Sequence, residues 1–137
     1  EYVDTVLLPV QAFQITEDQK LEQDAFHSEV LAIYTSEIEK ELSGRVMLFP
    51  TYTYLKTKQL ETEIKRLNSW IKAAEEQPFK HIFVITFDID WKKVEKDIAA
   101  HLLWLPGMKQ TDLRSSEAVT FIRSQVSEIS ELIRSYW

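Results

Sequence analysis

The chain of 137 residues contains very little glycine, with Gly44 and Gly107 as its two glycines. Loops that hold a nucleotide phosphate through backbone amides, of the GxGxxG or GxxxxGK kind, need several glycines within a few positions. Two glycines so far apart cannot build such a loop. The sequence therefore excludes nucleotide binding by its two best-known routes.

Cysteine is absent altogether, which excludes disulfide bonds, thiolate metal ligands and a cysteine nucleophile, and which fits a reducing, cytoplasmic location. No apolar run approaches the roughly 20 residues that a membrane-spanning helix needs, so we expect no membrane association. The net charge of −6 and the mixing of bases with acids argue against a nucleic-acid partner, which would require a basic patch. The sequence begins at Glu1 without an initiator methionine, so we expect a short segment to precede it.

What the sequence does contain is a regular alternation of strand-like and helix-like segments. Apolar runs predict strands at 2–10, 45–55, 82–87 and 100–105, although the last could instead continue the preceding helix. Apolar residues three or four positions apart predict helices at about 16–42, 57–77, 91–99 and 115–136. This alternation predicts a single α/β domain over residues 1–137, a three-layer α/β/α sandwich of the flavodoxin or Rossmann kind. Its four-stranded, mostly parallel sheet would have the order 2-1-3-4, with the switch point between strands one and three.

The third predicted strand indicates both the type of sheet and the position of a site. Residues 82–87 are apolar or β-branched without a break, as in a strand that helices cover on both faces. Two acids follow at its carboxyl end, the edge at which open α/β sheets usually bind ligands. The ends of the four strands would bring together at that edge the candidate ligand-binding residues Gln11, Tyr52, Tyr54, Asp88, Asp90 and Lys109.

The segment ITFDID at residues 85–90 resembles the DxD motif of the haloacid-dehalogenase phosphatases. In that family the first acid attacks phosphorus and the second is an acid/base, and both work with magnesium. The resemblance therefore implies Asp88 and Asp90 as magnesium ligands, and a hard cation does prefer carboxylate oxygens. The segment departs from the family because Trp91 and Lys92 follow it, where a small residue and a hydroxyl are expected. The structural alternative makes Asp88 a loop acid and Asp90 the cap of the next helix.

The histidines and serines are not arranged as metal ligands or as a catalytic nucleophile. His27, His81 and His101 lack the spacing of metal ligands, and no serine stands in a GxSxG elbow. We therefore predict no catalytic residue and expect a non-enzymatic module that acts in protein interaction or regulation. The alternative is a domain at the Asp88 edge that binds a small ligand or handles phosphoryl groups with magnesium.

The last helix has more apolar residues than one packed face requires. Beside its core-facing row, Phe121, Leu132 and Tyr136 form a second row, and Trp137 adds another aromatic ring at the end. Aromatic residues are enriched at protein interfaces, so the pattern indicates self-association, as a homodimer, through this helix. A broad core-facing stripe would account for the same residues.

Four segments together resemble one family. They are EYVDTVLLPV at 1–10, VMLFPTYTYL at 46–55, HIFVITFD at 81–88 and LLWLPG at 102–107. On these segments the chain is similar to the YpiF-type family of small proteins from Gram-positive bacteria, which is classed as a domain of unknown function. The resemblance implies a cytoplasmic bacterial protein and transfers no active site.

Overall fold

The computed structural model describes residues 3–15, 18–56 and 60–137, in which strands and helices alternate as predicted. The elements are β1 (Thr5–Phe13), α1 (Asp18–Glu41), β2 (Val46–Leu48), β3 (Tyr52–Leu55), α2 (Glu61–Glu75), β4 (His81–Thr86), α3 (Asp90–Lys93), β5 (His101–Trp104) and α4 (Ser116–Arg134). A short 3₁₀ helix, Glu95–Asp97, follows α3. We predicted that three elements begin at Tyr2, Thr16 and Thr57, and these residues lie outside the described ranges.

The strands form one sheet in which every pairing between described strands is parallel. β1 lies inside the sheet, with β4 on one side of it and β2 and then β3 on the other, while β5 pairs with β4. β2 and β3 together correspond to the predicted second strand. The predicted α/β class and the order 2-1-3-4 are therefore confirmed, although the sheet has five strands rather than four.

The predicted second strand is divided because Pro9 lies opposite its middle. We predicted that the first strand ends at Val10, and this is wrong, since β1 continues through Pro9 to Phe13. Proline has no N–H to donate to a neighbouring strand. The register against β1 shifts by one residue between β2 and β3, so the neighbouring strand carries one extra residue there. This bulge, which contains Pro50, separates β2 from β3.

Helices cover both faces of the sheet, which confirms the predicted sandwich. Side chains alternate along β1, so that Leu7 packs with α1 and α4 while Val6 and Leu8 pack with α2 and α3. All of β4 after the half-buried His81 is buried, as the unbroken apolar run predicted. Within the part of the chain that is described, no helix is both long enough and apolar enough to cross a bilayer.

At the amino-terminal ends of the strands, Arg45 and Asp4 form an ion pair beside Trp137. Arg45 donates from Nη2 to Asp4 Oδ2 at 2.7 Å and from Nε to Oδ1 at 3.2 Å. The guanidinium carbon lies 3.9 Å from the centre of a Trp137 ring, whose N–H donates to Thr5 Oγ1 at 2.9 Å. The hydrogen bonds from Arg45 hold the pKa of Asp4 below its usual value of 3.8.

We expect Asp4→Asn to destabilise the protein by about 1–3 kcal/mol at neutral pH, because an amide cannot replace the charge-assisted pair. The pKa of Asp4 is lower in the folded than in the unfolded state. Its contribution is therefore present above the unfolded pKa and is lost as pH falls through the folded one. Urea unfolding from neutral pH down to about pH 3 measures this. The wild type should lose its advantage over the variant toward acid, and a constant difference would contradict the assignment.

Candidate functional site

β1 and β4 are adjacent strands whose following helices lie on opposite faces of the sheet. α1, which follows β1, packs on the face shared with α4, whereas α3, which follows β4, packs on the face shared with α2. The chain therefore diverges at the carboxyl ends of these two strands. In open α/β sheets such a divergence leaves a crevice in which ligands bind. It lies where the sequence predicted the switch point.

A cavity of about 300 Å³ occupies this position, and we name it the switch-point crevice. Four parts of the chain build its walls, and most of the side chains that they supply are polar. The lining residues are Gln11, Ala12 and Gln14 from β1 and the residues after it, Lys20, Gln23, Asp24 and His27 from α1, and Lys56, Phe87, Asp88 and Ile89 from the ends of β3 and β4.

Asp88 is the centre of a buried hydrogen-bond network beside the crevice. Tyr54 donates its hydroxyl to Asp88 Oδ2 and accepts the indole N–H of Trp91 at 2.7 Å. Asp88 Oδ1 accepts from Lys56 Nζ at 3.1 Å and from the Asp90 backbone N–H at 3.0 Å. These donors satisfy a carboxylate whose side chain is only 4% exposed. A buried charge is tolerated when it is paired and hydrogen-bonded in this way.

Tyr54 and Lys56, the two side chains that donate to Asp88, both have a raised pKa. Burial, together with the hydrogen bond to Asp88, raises the pKa of the Tyr54 hydroxyl above its usual value. Burial alone would lower the pKa of Lys56, but the hydrogen bond to Asp88 and the charges of Asp88 and Asp90 outweigh it and raise that pKa. At neutral pH the tyrosine is therefore a donor and the lysine a cation. Neither has the shifted pKa that would prepare it as a base or nucleophile.

Asp88 lies in the loop between β4 and α3, as the structural alternative predicted, but Asp90 does not cap the next helix. Asp90 was expected to cap the following helix, but it is the first residue of α3, and the position before it, Ile89, has no side-chain cap. The N–H of Asp90 is bound instead by Asp88, as in turns that an aspartate closes. The Asp90 carboxylate lies 3.5 Å from both Lys56 Nζ and Lys93 Nζ. The helix predicted to reach residue 99 ends as an α-helix at Lys93.

The two carboxylates converge on one cation, but that cation is Lys56. Its Nζ lies 3.1 Å from Asp88 Oδ1 and 3.5 Å from Asp90 Oδ2. Magnesium binds oxygen at about 2.1 Å, so it would compete with the ammonium for the same position. Across residues 3–15, 18–56 and 60–137, no group of three or more His, Cys, Asp or Glu is placed to hold a metal. A magnesium site at Asp88 and Asp90 stays a prediction, and it requires Lys56 to move.

The other candidate edge residues are spread over different surroundings. Gln11 lies within β1 rather than after the strand, and it lines the crevice. Tyr52 stacks on Tyr54 with ring centres 6.0 Å apart, and its hydroxyl donates to Glu63. Lys109 is exposed and does not belong to the crevice lining. The structure therefore brings Gln11 and Asp88 to one crevice, places Tyr54 behind it, and leaves Tyr52 and Lys109 outside its lining.

Lys56 and His27 are crevice residues that the sequence analysis did not select. Lys56 directly follows the predicted second strand, so the strand-end rule that selected Asp88 could have found it. His27 was set aside because it lacks the spacing of a metal ligand. Its Nε2 lies 3.3 Å from the Met108 carbonyl oxygen, and its ring stacks on Phe87 with centres 5.1 Å apart. No local pattern indicates a contact between residues so distant along the chain.

A larger groove of about 500 Å³ runs along β2 and differs in chemistry from the crevice. It is lined by Met47, Leu48, Phe49, Pro50, Ser69, Trp70 and Ala73. Small-molecule sites combine apolar walls with several convergent polar groups. In this groove a single serine supplies the polar side chain. We therefore take the smaller, polar crevice as the candidate ligand site.

Part of the second apolar row of α4 packs against other residues of the same chain. Tyr136 packs on His101 and Phe83, with ring centres 4.2 and 5.3 Å apart. Phe121, Leu132 and Tyr136 remain 44%, 45% and 43% exposed. All three side chains of the predicted row are therefore open to another molecule, although the Tyr136 ring also packs within the chain.

Comparison with known proteins agrees with the family resemblance. A family model described as "Protein of unknown function (DUF2487)" matches residues 1–137, the whole chain. A relative described as "Uncharacterized protein YpiF", from Bacillus subtilis (strain 168), is 22% identical over 138 residues. The match covers 100% of this chain and 88% of the relative. No solved structure gives a significant match.

Proposed function

Since the chain belongs to this family of unknown function, its role rests on its own geometry, and we propose that it is a regulatory domain that binds a small polar ligand without catalysing a reaction. The observation that carries the proposal is the polar crevice at the divergence of β1 and β4. A cytoplasmic location is part of the same proposal, because a sequence without cysteine suits a reducing compartment.

The hydrogen bonding of Asp88 supports binding rather than catalysis. A general base or nucleophile needs lone pairs within reach of the substrate. Both carboxylate oxygens of Asp88 already accept hydrogen bonds from within the protein, from Tyr54, Lys56 and the backbone of Asp90. The acid therefore positions the crevice wall and holds Lys56 in place, with a donor from within the protein on each of its oxygens.

Retention of small molecules tests the proposal. The purified protein is equilibrated with a bacterial small-molecule extract and washed, and the molecules released on unfolding are identified by mass spectrometry. Gln23→Trp introduces a large ring from an exposed position of α1 that lines the crevice. Gln77→Trp makes the same change after α2, at the other end of β4. The wild type and Gln77→Trp should retain molecules that Gln23→Trp loses. Equal retention by all three proteins, or none by the wild type, would contradict the proposal.

Self-association through α4, with a second copy of this chain as the partner, is the second candidate. Phe121 and Leu132 are exposed, and β5, at one edge of the sheet, pairs only with β4 among the described strands. An open edge strand readily pairs with a second copy. We expect sedimentation velocity to show a dimer that forms with rising concentration, and to show only monomer for a Phe121→Glu/Leu132→Glu variant. A wild type that stays monomeric throughout would exclude this candidate.

The Lys56 ammonium should keep magnesium from binding to the Asp88 and Asp90 carboxylates. We expect magnesium, manganese or calcium to leave the thermal unfolding of the wild type unchanged, and to stabilise Lys56→Met, in which the ammonium is gone. A cation at a hundredfold excess over its Kd stabilises by about 2.7 kcal/mol, a shift that is easily measured. Stabilisation of the wild type that Asp88→Asn abolishes would instead favour the phosphoryl-handling alternative.

A further inference from the structure

Gln11 presents an unpaired amide oxygen to the crevice from a nearly buried side chain. The residue is 8% exposed and lines the crevice. Its Nε2 donates to the Ala12 carbonyl at 2.9 Å, which leaves Oε1 as the free end of the amide. Within the described chain, the one fully enclosed side-chain polar atom without a partner is Trp104 Nε1, so the Gln11 oxygen is accessible. An acceptor in such a place gains from a ligand that donates to it.

Asp24 of α1 adds a further acceptor to the crevice. Its Oδ2 accepts the Gln14 backbone N–H at 3.1 Å, which leaves its other oxygen available. Together with the Gln11 oxygen, this carboxylate suits a cationic group with N–H donors.

Lys56, the residue after β3, supplies a positive charge to the crevice. Its side chain is 33% exposed, and its contacts with Asp88 and Asp90 involve one oxygen of each. An ammonium group has a further N–H beyond those two. A ligand carboxylate at this point would make a charge-assisted hydrogen bond.

Two lysines and two aspartates line the crevice, and the Asp90 carboxylate adds a third acid 3.5 Å from Lys56 Nζ. A molecule that carries both signs can place its cation near an acid and its anion near a lysine. The volume of about 300 Å³ is at the small end of the range for ligand sites. We infer that the switch-point crevice binds a small zwitterion of the amino-acid type, with its ammonium toward Gln11 and Asp24 and its carboxylate toward Lys56. This inference rests on the proposed function and names its ligand class.

An NMR titration tests the ligand class on the whole chain. The backbone amide signals are followed as four probes are added separately: a mixture of neutral amino acids, glycine betaine, inorganic phosphate and putrescine. The amino acids should shift the amides of Gln11, Asp24 and Lys56 saturably. Betaine should bind more weakly, because its cation has no N–H for Gln11, and phosphate and putrescine should not shift these amides.

The outcomes separate this inference from the proposed function. If phosphate or putrescine shifts the crevice amides and the amino acids do not, the ligand class is wrong while the crevice remains a binding site. If no probe shifts them, the zwitterion inference is overturned, and the extract experiment decides separately whether the crevice binds anything.

Substitution of Gln11 tests the assigned contact. Gln11→Leu keeps the approximate volume and removes the oxygen, so amino-acid affinity should fall about tenfold or more, as expected for one lost charge-assisted hydrogen bond. Gln77→Leu, at an exposed glutamine, should leave the affinity unchanged. If Gln11→Leu does not fold, Asp24→Asn on half-buried α1 surface tests the same end of the ligand. Unchanged affinity in the variant that folds would overturn the inference.

Discussion

Asp88→Ala is expected to destabilise the protein by about 3–5 kcal/mol, as removal of one partner from a buried charged network does. The substitution takes the acceptor from the Tyr54 hydroxyl and from Lys56, and it removes the bond that holds the Asp90 backbone N–H. Because the Tyr54 ring is buried, solvent cannot readily replace the lost acceptor. Urea unfolding at neutral pH, followed by tryptophan fluorescence, measures the loss.

Asp90→Ala is the matched control for this effect. Asp90 is separated from Asp88 by one residue, but its side chain is 37% exposed and its two lysine contacts are both 3.5 Å long. Exposed ion pairs contribute about 0–1 kcal/mol. A loss at Asp90 as large as that at Asp88 would contradict the assignment of the network to Asp88.

Trp91→Ala should have the second large effect, a destabilisation of about 3–5 kcal/mol. The side chain is 0% exposed and belongs to the core between the sheet and α2. Its removal leaves a cavity and also takes the indole N–H from the Tyr54 hydroxyl. Chemical denaturation of the variant measures this loss.

Trp70→Ala provides the comparison, because Trp70 is 37% exposed and lies in the groove along β2. We expect it to cost less than Trp91→Ala, about 2 kcal/mol, since more than a third of its surface stays in contact with water in the folded protein. The two tryptophans would be misassigned if Trp70→Ala were the more destabilising substitution.

The general architecture was predictable because its causes are local. The unbroken apolar run at 82–87 indicated a strand covered on both faces, and the alternation of strands with helices indicated parallel pairing. Pro9 led to a wrong predicted end for the first strand, since a proline usually marks the end of a strand or its edge. It is accepted inside β1 because the neighbouring strand bulges where the N–H is missing. That compensation lies in another segment and cannot be inferred from the residues around Pro9.

The candidate site was predictable only where strand ends supply it. Asp88 and Gln11 follow from the rule that parallel strands meet at one edge, and the structure brings both to the crevice. The pattern DID could not distinguish its two acids, whose side chains are 4% and 37% exposed. Asp88 is enclosed by partners from another part of the chain, Tyr54 and Lys56. His27 reaches the crevice from α1 through its contact with Met108, which depends on the complete fold.

Soaking crystals of the chain with a panel of small fragments tests the central claim most directly. The panel should include polar, zwitterionic and purely apolar molecules, so that each surface is offered ligands of its own chemistry. The account predicts that polar and zwitterionic fragments collect in the switch-point crevice and contact Gln11 and Lys56. Fragments that leave the crevice empty and gather in the groove at Trp70, or at Phe121 and Leu132, would contradict it and favour a protein-interaction domain.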